Sequence, residues 1–62
     1  MTGVLRRDDA YFWVWIPEGM EPEEALQRMG VHGPFQSEAE AVEDRDAVLL
    51  RPHWSPELER LQ

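Results

Sequence analysis

The chain has 62 residues, enough for one domain, and 13 acidic against six basic side chains give it a formal net charge of −7. It contains no cysteine, which excludes disulfide bonds and thiolate metal sites. The strong negative charge disfavours direct contact with nucleic acid and with anionic membranes.

The first seven residues have no strong pattern, and they predict either a disordered arm or a short first strand. Residues 1–9 lack the apolar core of a secretory signal, because two arginines are followed directly by two aspartates. The longest apolar run, residues 10–17, is too short to cross a bilayer. These features predict a cytoplasmic protein without a membrane partner.

Residues 10–16 are aromatic and β-branched, which predicts a β-strand. Side chains alternate between the two faces of a strand, and here both faces are apolar. One face carries Tyr11, Trp13 and Trp15, and the other carries Phe12, Val14 and Ile16. A chain this short has few residues to cover both faces. We therefore expect the face with the two tryptophans to contact another protein. The alternative for Phe12, Trp13 and Phe35 is that they form the core.

Residues 22–29 predict a two-turn helix after a turn that is rich in proline and glycine. Glu21 is the expected N-cap, and Pro22 suits the first helical position. Gly30 is expected to stop the helix. The side chains expected to face inward are Ala25, Leu26 and Met29.

A short extended segment is predicted over residues 31–36, and Pro34 places it at a sheet edge or in a turn. Ser37 then begins a capping box with Glu40 at the third helical position, which predicts the start of a second helix. Residues 46–50 allow two alternatives, continuation of this helix or a further strand. We favour the longer helix, because no glycine or proline intervenes before Pro52.

The inner stripe of this second helix is expected to contain Ala39, Val42 and Leu49. Near the end of the chain, Ser55 and the proline after it restate the helix-start signature. They predict a final helical turn or two with Leu58 and Leu61 on one side, frayed at Gln62.

These elements predict a single small α+β domain over residues 1–62, with a minimal β-sheet packed by two or three short helices. A chain of this length buries only about 60% of the surface that its unfolded form exposes. A two-stranded sheet is also marginal alone. We therefore expect that a homodimer completes the sheet.

His32 and His53 are the only histidines, and they could act as general bases or metal ligands. Each lies beside a proline-containing turn without metal-ligand spacing. Two acidic pairs, Asp8-Asp9 and Glu23-Glu24, are explained by a solvated turn and by a helix start. The sequence holds no phosphate loop and no activated nucleophile. It predicts no enzyme activity, no cofactor and no metal.

We interpret the chain as a non-catalytic protein–protein interaction module or accessory subunit. Nine acids against two bases in residues 18–46 account for the whole negative excess, which favours a basic protein partner. Aromatic side chains ringed by charge are typical of binding hot spots. The predicted partner-binding residues are Tyr11, Trp13, Trp15, Glu23, Glu24, Glu40 and Glu43. The alternative is an acidic DNA mimic whose carboxylates occupy a DNA-binding protein.

Residues 33–41 (GPFQSEAEA) resemble the Gly-Pro-Phe-then-helix signature of SPOR domains. SPOR domains bind denuded peptidoglycan glycans and have a βαββαβ fold. The resemblance covers nine of the 62 residues and does not include the second half of a SPOR domain. Its function is therefore not carried over to this chain.

Overall fold

The computed structural model describes residues 1–61 and shows a small α+β domain with a three-stranded antiparallel sheet and two helices. In chain order the elements are β1 (Thr2–Arg7), β2 (Ala10–Trp15), α1 (Pro22–Arg28), β3 (Val31–Phe35), α2 (Glu38–Leu49) and a 3-10 turn (Pro56–Glu59). Within this part of the chain, no helix combines the length and the apolar character needed to cross a membrane.

Of the two alternatives for the first seven residues, the structure adopts the strand, which covers Thr2–Arg7. β1 pairs with β2 over its whole length, from Thr2 opposite Trp15 to Arg7 opposite Ala10. The two residues between the strands, Asp8 and Asp9, have φ angles of 52° and 65°. Two successive left-handed residues form the primed type of turn that fits the twist of a β-hairpin.

Replacing Asp9 by glycine should raise the free energy of unfolding by about 0.5 kcal/mol, because glycine adopts positive φ without a steric penalty. The gain is limited by the greater freedom of glycine in the unfolded chain and by loss of the exposed ion pair between Arg6 and Asp9 at 2.8 Å. Asp9→Val should instead lower stability by about 1 kcal/mol or more, since a β-branched residue is strained at this φ. Urea unfolding followed by circular dichroism measures both, and a loss of stability in the glycine variant would contradict the prediction.

β2 lies in the middle of the sheet, and β3 forms one edge as the position of Pro34 predicted. The pairing between β2 and β3 shifts register between Tyr11 and Trp13, which marks a bulge. The Gly33-Pro34 peptide bond is cis. The Gly-Pro-Phe sequence therefore ends an edge strand directly before α2.

The two helices cover opposite faces of β2. Val14 and Ile16 pack with Ala25 and Met29 of the α1 region, and all four are buried. Trp13, on the other face, is fully buried and is bonded to α2. One chain therefore covers both faces at the centre of the strand, contrary to our expectation that it has too few residues. The homodimer remains a prediction.

α1 follows the predicted bounds closely, with Pro22 in its first turn and Met29 as its C-cap. Ala25 and Met29 are fully buried and Leu26 is half-buried, as the inward stripe predicted. Glu21 occupies the N-cap position, but its side chain makes no capping hydrogen bond within the described chain. Glutamate is not among the residues favoured at this position, which are Ser, Thr, Asp, Asn and Gly.

α2 begins as predicted and runs to Leu49, which confirms the longer helix. The Ser37 Oγ accepts a hydrogen bond from the Glu40 amide at 3.1 Å. The Glu40 carboxylate reaches one residue further back than a standard capping box and accepts from the Gln36 amide at 2.9 Å. The predicted inner stripe is wrong in detail, since the buried residues are Ala41 and Val48.

The C-terminal segment forms a single 3-10 turn, as the helix-start signature predicted, and its leucines are exposed. Leu58 and Leu61 are 62% and 59% exposed, whereas Glu59 is only 7% exposed. A bridge between Met29 and Arg60 ties the segment to the residues just before β3. Backbone pairing and a buried carboxylate, rather than leucine burial, therefore hold this turn in place. The predicted fraying at Gln62 lies outside the described residues.

Candidate functional site

Trp13 is enclosed by its own chain. Its Nε1 donates a hydrogen bond to the Asp44 Oδ2 at 2.8 Å, and its indole ring stacks on His32 at 3.9 Å between centroids and 3° between planes. None of its surface is exposed. Trp13 was predicted as a partner contact, yet it has no accessible surface for a partner and is part of the core between β3 and α2.

Glu59 is the buried centre of a polar network that sequence reasoning missed. Its Oε1 pairs with the His32 Nε2 at 2.5 Å, and its Oε2 accepts from the Trp54 Nε1 at 3.0 Å. Both carboxylate oxygens are therefore occupied by neighbouring rings. A buried carboxylate requires such partners, so this network anchors the C-terminal turn against β3.

Trp15 packs against the same C-terminal segment. Its ring meets Trp54 edge to face, at 5.0 Å between centroids and 69° between planes. This is one of the favoured geometries of aromatic pairs. Trp15 also packs against the core cluster of Val14 and Ile16 and is half-buried, so only part of its surface remains accessible.

Tyr11, the third residue of the predicted aromatic contact, is half-buried like Trp15. It lies opposite Phe35 in the pairing of β2 with β3. The Arg6 guanidinium lies 5.9 Å from the centre of its ring, within the range of a cation–π contact. Tyr11 and Phe35 thus form an aromatic strip at the end of the sheet that α2 borders.

An acidic groove lies between β3 and α2 beside this strip. It has a volume of about 440 Å³. Its lining residues are Phe35, Glu40, Glu43, Asp44 and Ala47. Positions three and four apart share one side of a helix, so the capping box that starts α2 also fixes Glu40, Glu43 and Asp44 on the side that faces Phe35. Two of the predicted partner-binding acids are therefore brought together around an aromatic ring.

The charge of α2 is largely uncompensated. The helix contains five acids and one base, Arg45, which pairs with Asp46 at 2.9 Å. Within residues 1–61, Glu40 and Glu43 form no ion pair. The groove therefore presents carboxylates whose charge no neighbouring cation neutralises.

The other two predicted acids lie elsewhere. Glu23 and Glu24 are in the first turn of α1, on the opposite face of the sheet from α2. Glu24 is paired with Arg28 at 3.1 Å, and Glu23 is exposed. The four predicted acids therefore do not form one surface, and α1 and α2 carry separate acidic patches.

His32 and His53 line one further hollow of about 300 Å³, next to Asp44 and Glu59. The ring of His32 is stacked on Trp13 and paired with Glu59, and both oxygens of that carboxylate are occupied. Within residues 1–61, no three histidine, aspartate or glutamate side chains are arranged to hold a metal ion. The bonds of His32 and Trp54 to Glu59 hold the C-terminal segment in place.

Comparison with known proteins identifies no relative. No protein-family model, no curated protein and no solved structure matches the chain. The SPOR resemblance is therefore limited to the nine residues that carry it. The described residues also begin with a β-hairpin, so their order of elements up to α2, ββαβα, differs from the order in SPOR domains.

The acidic groove was only partly foreseeable from the sequence. The capping signal located Glu40 at the start of α2, and the acidic composition singled out Glu43. Phe35 and Asp44 gave no such signal, because their place in the groove depends on how α2 packs on the sheet. Glu59 also gave no signal, since an acid after Ser-Pro is typical of an exposed helix start.

Proposed function

We propose that this chain is a non-catalytic protein-binding module whose acidic groove accepts an arginine side chain of a basic partner. The observation that carries the proposal is the position of Glu40 and Glu43 around the Phe35 ring, without a neutralising cation among the described residues. The aromatic ring and the carboxylates supply complementary halves of one recognition site.

The guanidinium of arginine fits both halves. It stacks on aromatic faces and donates several hydrogen bonds in a fixed plane to carboxylates. Lysine offers a compact, strongly hydrated ammonium that does not stack in this way. The small side chain of Ala47, one turn beyond Glu43, leaves one end of the groove open to a long side chain. We therefore expect arginine to be preferred over lysine.

The three carboxylates of the groove differ in whether they already accept a hydrogen bond within the chain. Asp44 already accepts from the Trp13 Nε1, and Glu40 already accepts from the Gln36 amide. Glu43 has no such bond in the described chain and is exposed. Glu43 is therefore the principal predicted contact for the guanidinium, and the net charge of −7 steers a basic partner toward the molecule.

Peptides selected from a random displayed library for binding to the wild-type chain should contain arginine and should bind at least tenfold more weakly to Glu43→Gln. This variant keeps the size of the side chain and removes one charge. Exchange of the arginine for lysine in the selected peptide should weaken binding as well. Isothermal titration measures the affinities, and nuclear magnetic resonance locates the shift changes, expected around Phe35 and Ala47.

Glu23→Gln is the matched control, because it removes the same charge from α1 on the opposite face of the sheet. Its effect on peptide affinity should be less than twofold. Equal binding of selected peptides to Glu43→Gln and to the wild type would show that the groove is not the binding site. Equal weakening by both variants, with steep salt dependence and displacement by duplex DNA, would favour the DNA mimic.

A further inference from the structure

β1 has one unpaired edge. The order of strands is β1-β2-β3, so β1 is hydrogen-bonded to a neighbour on one side only. At one end of the pair, the main-chain groups of Met1 and Ile16 exchange two hydrogen bonds, at 2.6 and 3.0 Å. Antiparallel pairs alternate between bonded and non-bonded. It follows that Gly3, Leu5 and Arg7 bond to β2, whereas the N–H and C=O groups of Thr2, Val4 and Arg6 point away from it.

The two edges of the sheet differ in protection. The β3 edge contains Pro34, and the C-terminal segment covers the residues before it, with the Gly30 amide bonded to the Glu59 carbonyl at 2.5 Å. β1 contains no proline, its pairing with β2 shows no register shift, and no segment of residues 1–61 pairs with its outer side. Unprotected edges of this kind are templates for another strand.

We propose that a second copy of this chain pairs with β1 in antiparallel fashion, about a two-fold axis that passes between the two Val4 residues. In this register Thr2 of one copy lies opposite Arg6 of the other. The free N–H and C=O groups of Thr2, Val4 and Arg6 in each copy then face the free groups of the other copy. The three residue pairs form six main-chain hydrogen bonds. A shift of the axis by one residue, in either direction, leaves only two such pairs. The strand is therefore complementary to itself in this one register.

Side-chain chemistry is compatible with this register. Arg6 faces the neutral Thr2 of the second copy, so no arginine opposes an arginine across the two-fold axis. On the α1 side of the sheet, Leu5 lies opposite Gly3 of the second copy in a non-bonded pair, where side chains approach most closely. Gly3 and Leu5 border an apolar hollow of about 120 Å³ that Ile16 and Leu26 also line. Leu5 of the second copy fills the space beside the glycine.

The interface gives a signature in amide exchange. In the monomer, the amides of Val4 and Arg6 should exchange quickly, and those of Gly3 and Leu5 slowly. Dilution across the dimer transition should change protection at Val4 and Arg6 at least tenfold and leave Gly3 and Leu5 nearly unaffected. Sedimentation equilibrium over the same concentrations gives the mass. A monomer at millimolar concentration, or a dimer without protection at Val4 and Arg6, would overturn the proposal.

Substitutions at Thr2 test the register. Thr2→Glu places a carboxylate opposite Arg6 of the second copy and should tighten the dimer about three- to tenfold, whereas Thr2→Arg should weaken it by a similar factor. Thr2→Gln is the neutral control. Val4→Pro removes an amide that makes no bond within the monomer, so it should abolish the dimer and preserve the circular dichroism spectrum. Equal effects of the glutamate and arginine variants would contradict this register.

This interface is independent of the acidic groove. β1 carries none of the residues that line the groove. Glu43→Gln should therefore leave the dimer dissociation constant within twofold of the wild type. If Glu43→Gln loses peptide binding but still dimerises, the two sites are separate. A Thr2→Arg variant that dimerises more weakly but binds the peptide normally leads to the same conclusion.

Discussion

Replacement of Trp13 by alanine is expected to remove a large part of the protein's free energy of unfolding. Trp13 is the largest fully buried side chain, and truncation of such a residue costs about 3–5 kcal/mol. A chain of 62 residues has a total free energy of unfolding of roughly 3–9 kcal/mol. The substitution removes the stacking on His32 and the hydrogen bond to Asp44 at once. Urea unfolding followed by circular dichroism measures the change.

Two further variants separate the contribution of the Trp13 ring volume to stability from that of its hydrogen bond. Trp13→Phe keeps most of the ring and loses the bond to Asp44, so it should cost about 1–2 kcal/mol. Tyr11→Ala alters the same face of β2 at a half-buried position and should cost less than Trp13→Ala. A Trp13→Ala protein that unfolds cooperatively within about 1 kcal/mol of the wild type would show that the packing around this ring is misjudged.

Replacement of Glu59 by alanine should lower the free energy of unfolding by about 2–4 kcal/mol, since a charged acceptor of two hydrogen bonds is lost. The His32 Nε2 and the Trp54 Nε1 then lose their partner, and the C-terminal turn loses its anchor. Chemical denaturation gives the size of the loss. Exchange of the Gly30 amide, bonded to the Glu59 carbonyl, reports release of the segment from the sheet.

Glu57→Ala is the matched control for this experiment. Glu57 occupies the same 3-10 turn and carries the same charge, but its side chain is exposed. Its replacement should change the free energy of unfolding by no more than about 0.5 kcal/mol. If the two alanine variants were equally stable, the buried network would have no part in holding the segment.

Elements with strong local signals were predictable from the sequence. The aromatic run gave β2, Pro22 and the glutamates after it gave α1, and Ser37 with Glu40 gave the start of α2. In each case the residues that decide the conformation lie within a few positions of one another. β1 lacked such a signal, since its conformation depends on pairing with β2 across the hairpin.

Contacts between distant residues were not predictable. Trp13 meets Asp44 across 31 positions and His32 meets Glu59 across 27, and no periodicity in the chain connects either pair. For this reason the aromatic face was expected to need a partner, whereas α2 and the C-terminal segment cover much of it. Glu40 and Glu43 were predicted from charge, and their common groove followed only from the packing of α2.

The edge-to-face pair of Trp15 and Trp54 joins the central strand to the C-terminal segment. At a centroid distance of 5.0 Å, the electronic transitions of the two indoles are expected to couple and to add an exciton band to the far-ultraviolet circular dichroism spectrum. The band exists only while the segment lies on the sheet. The protein thus carries an intrinsic optical reporter that distinguishes local release of its last residues from loss of the whole fold.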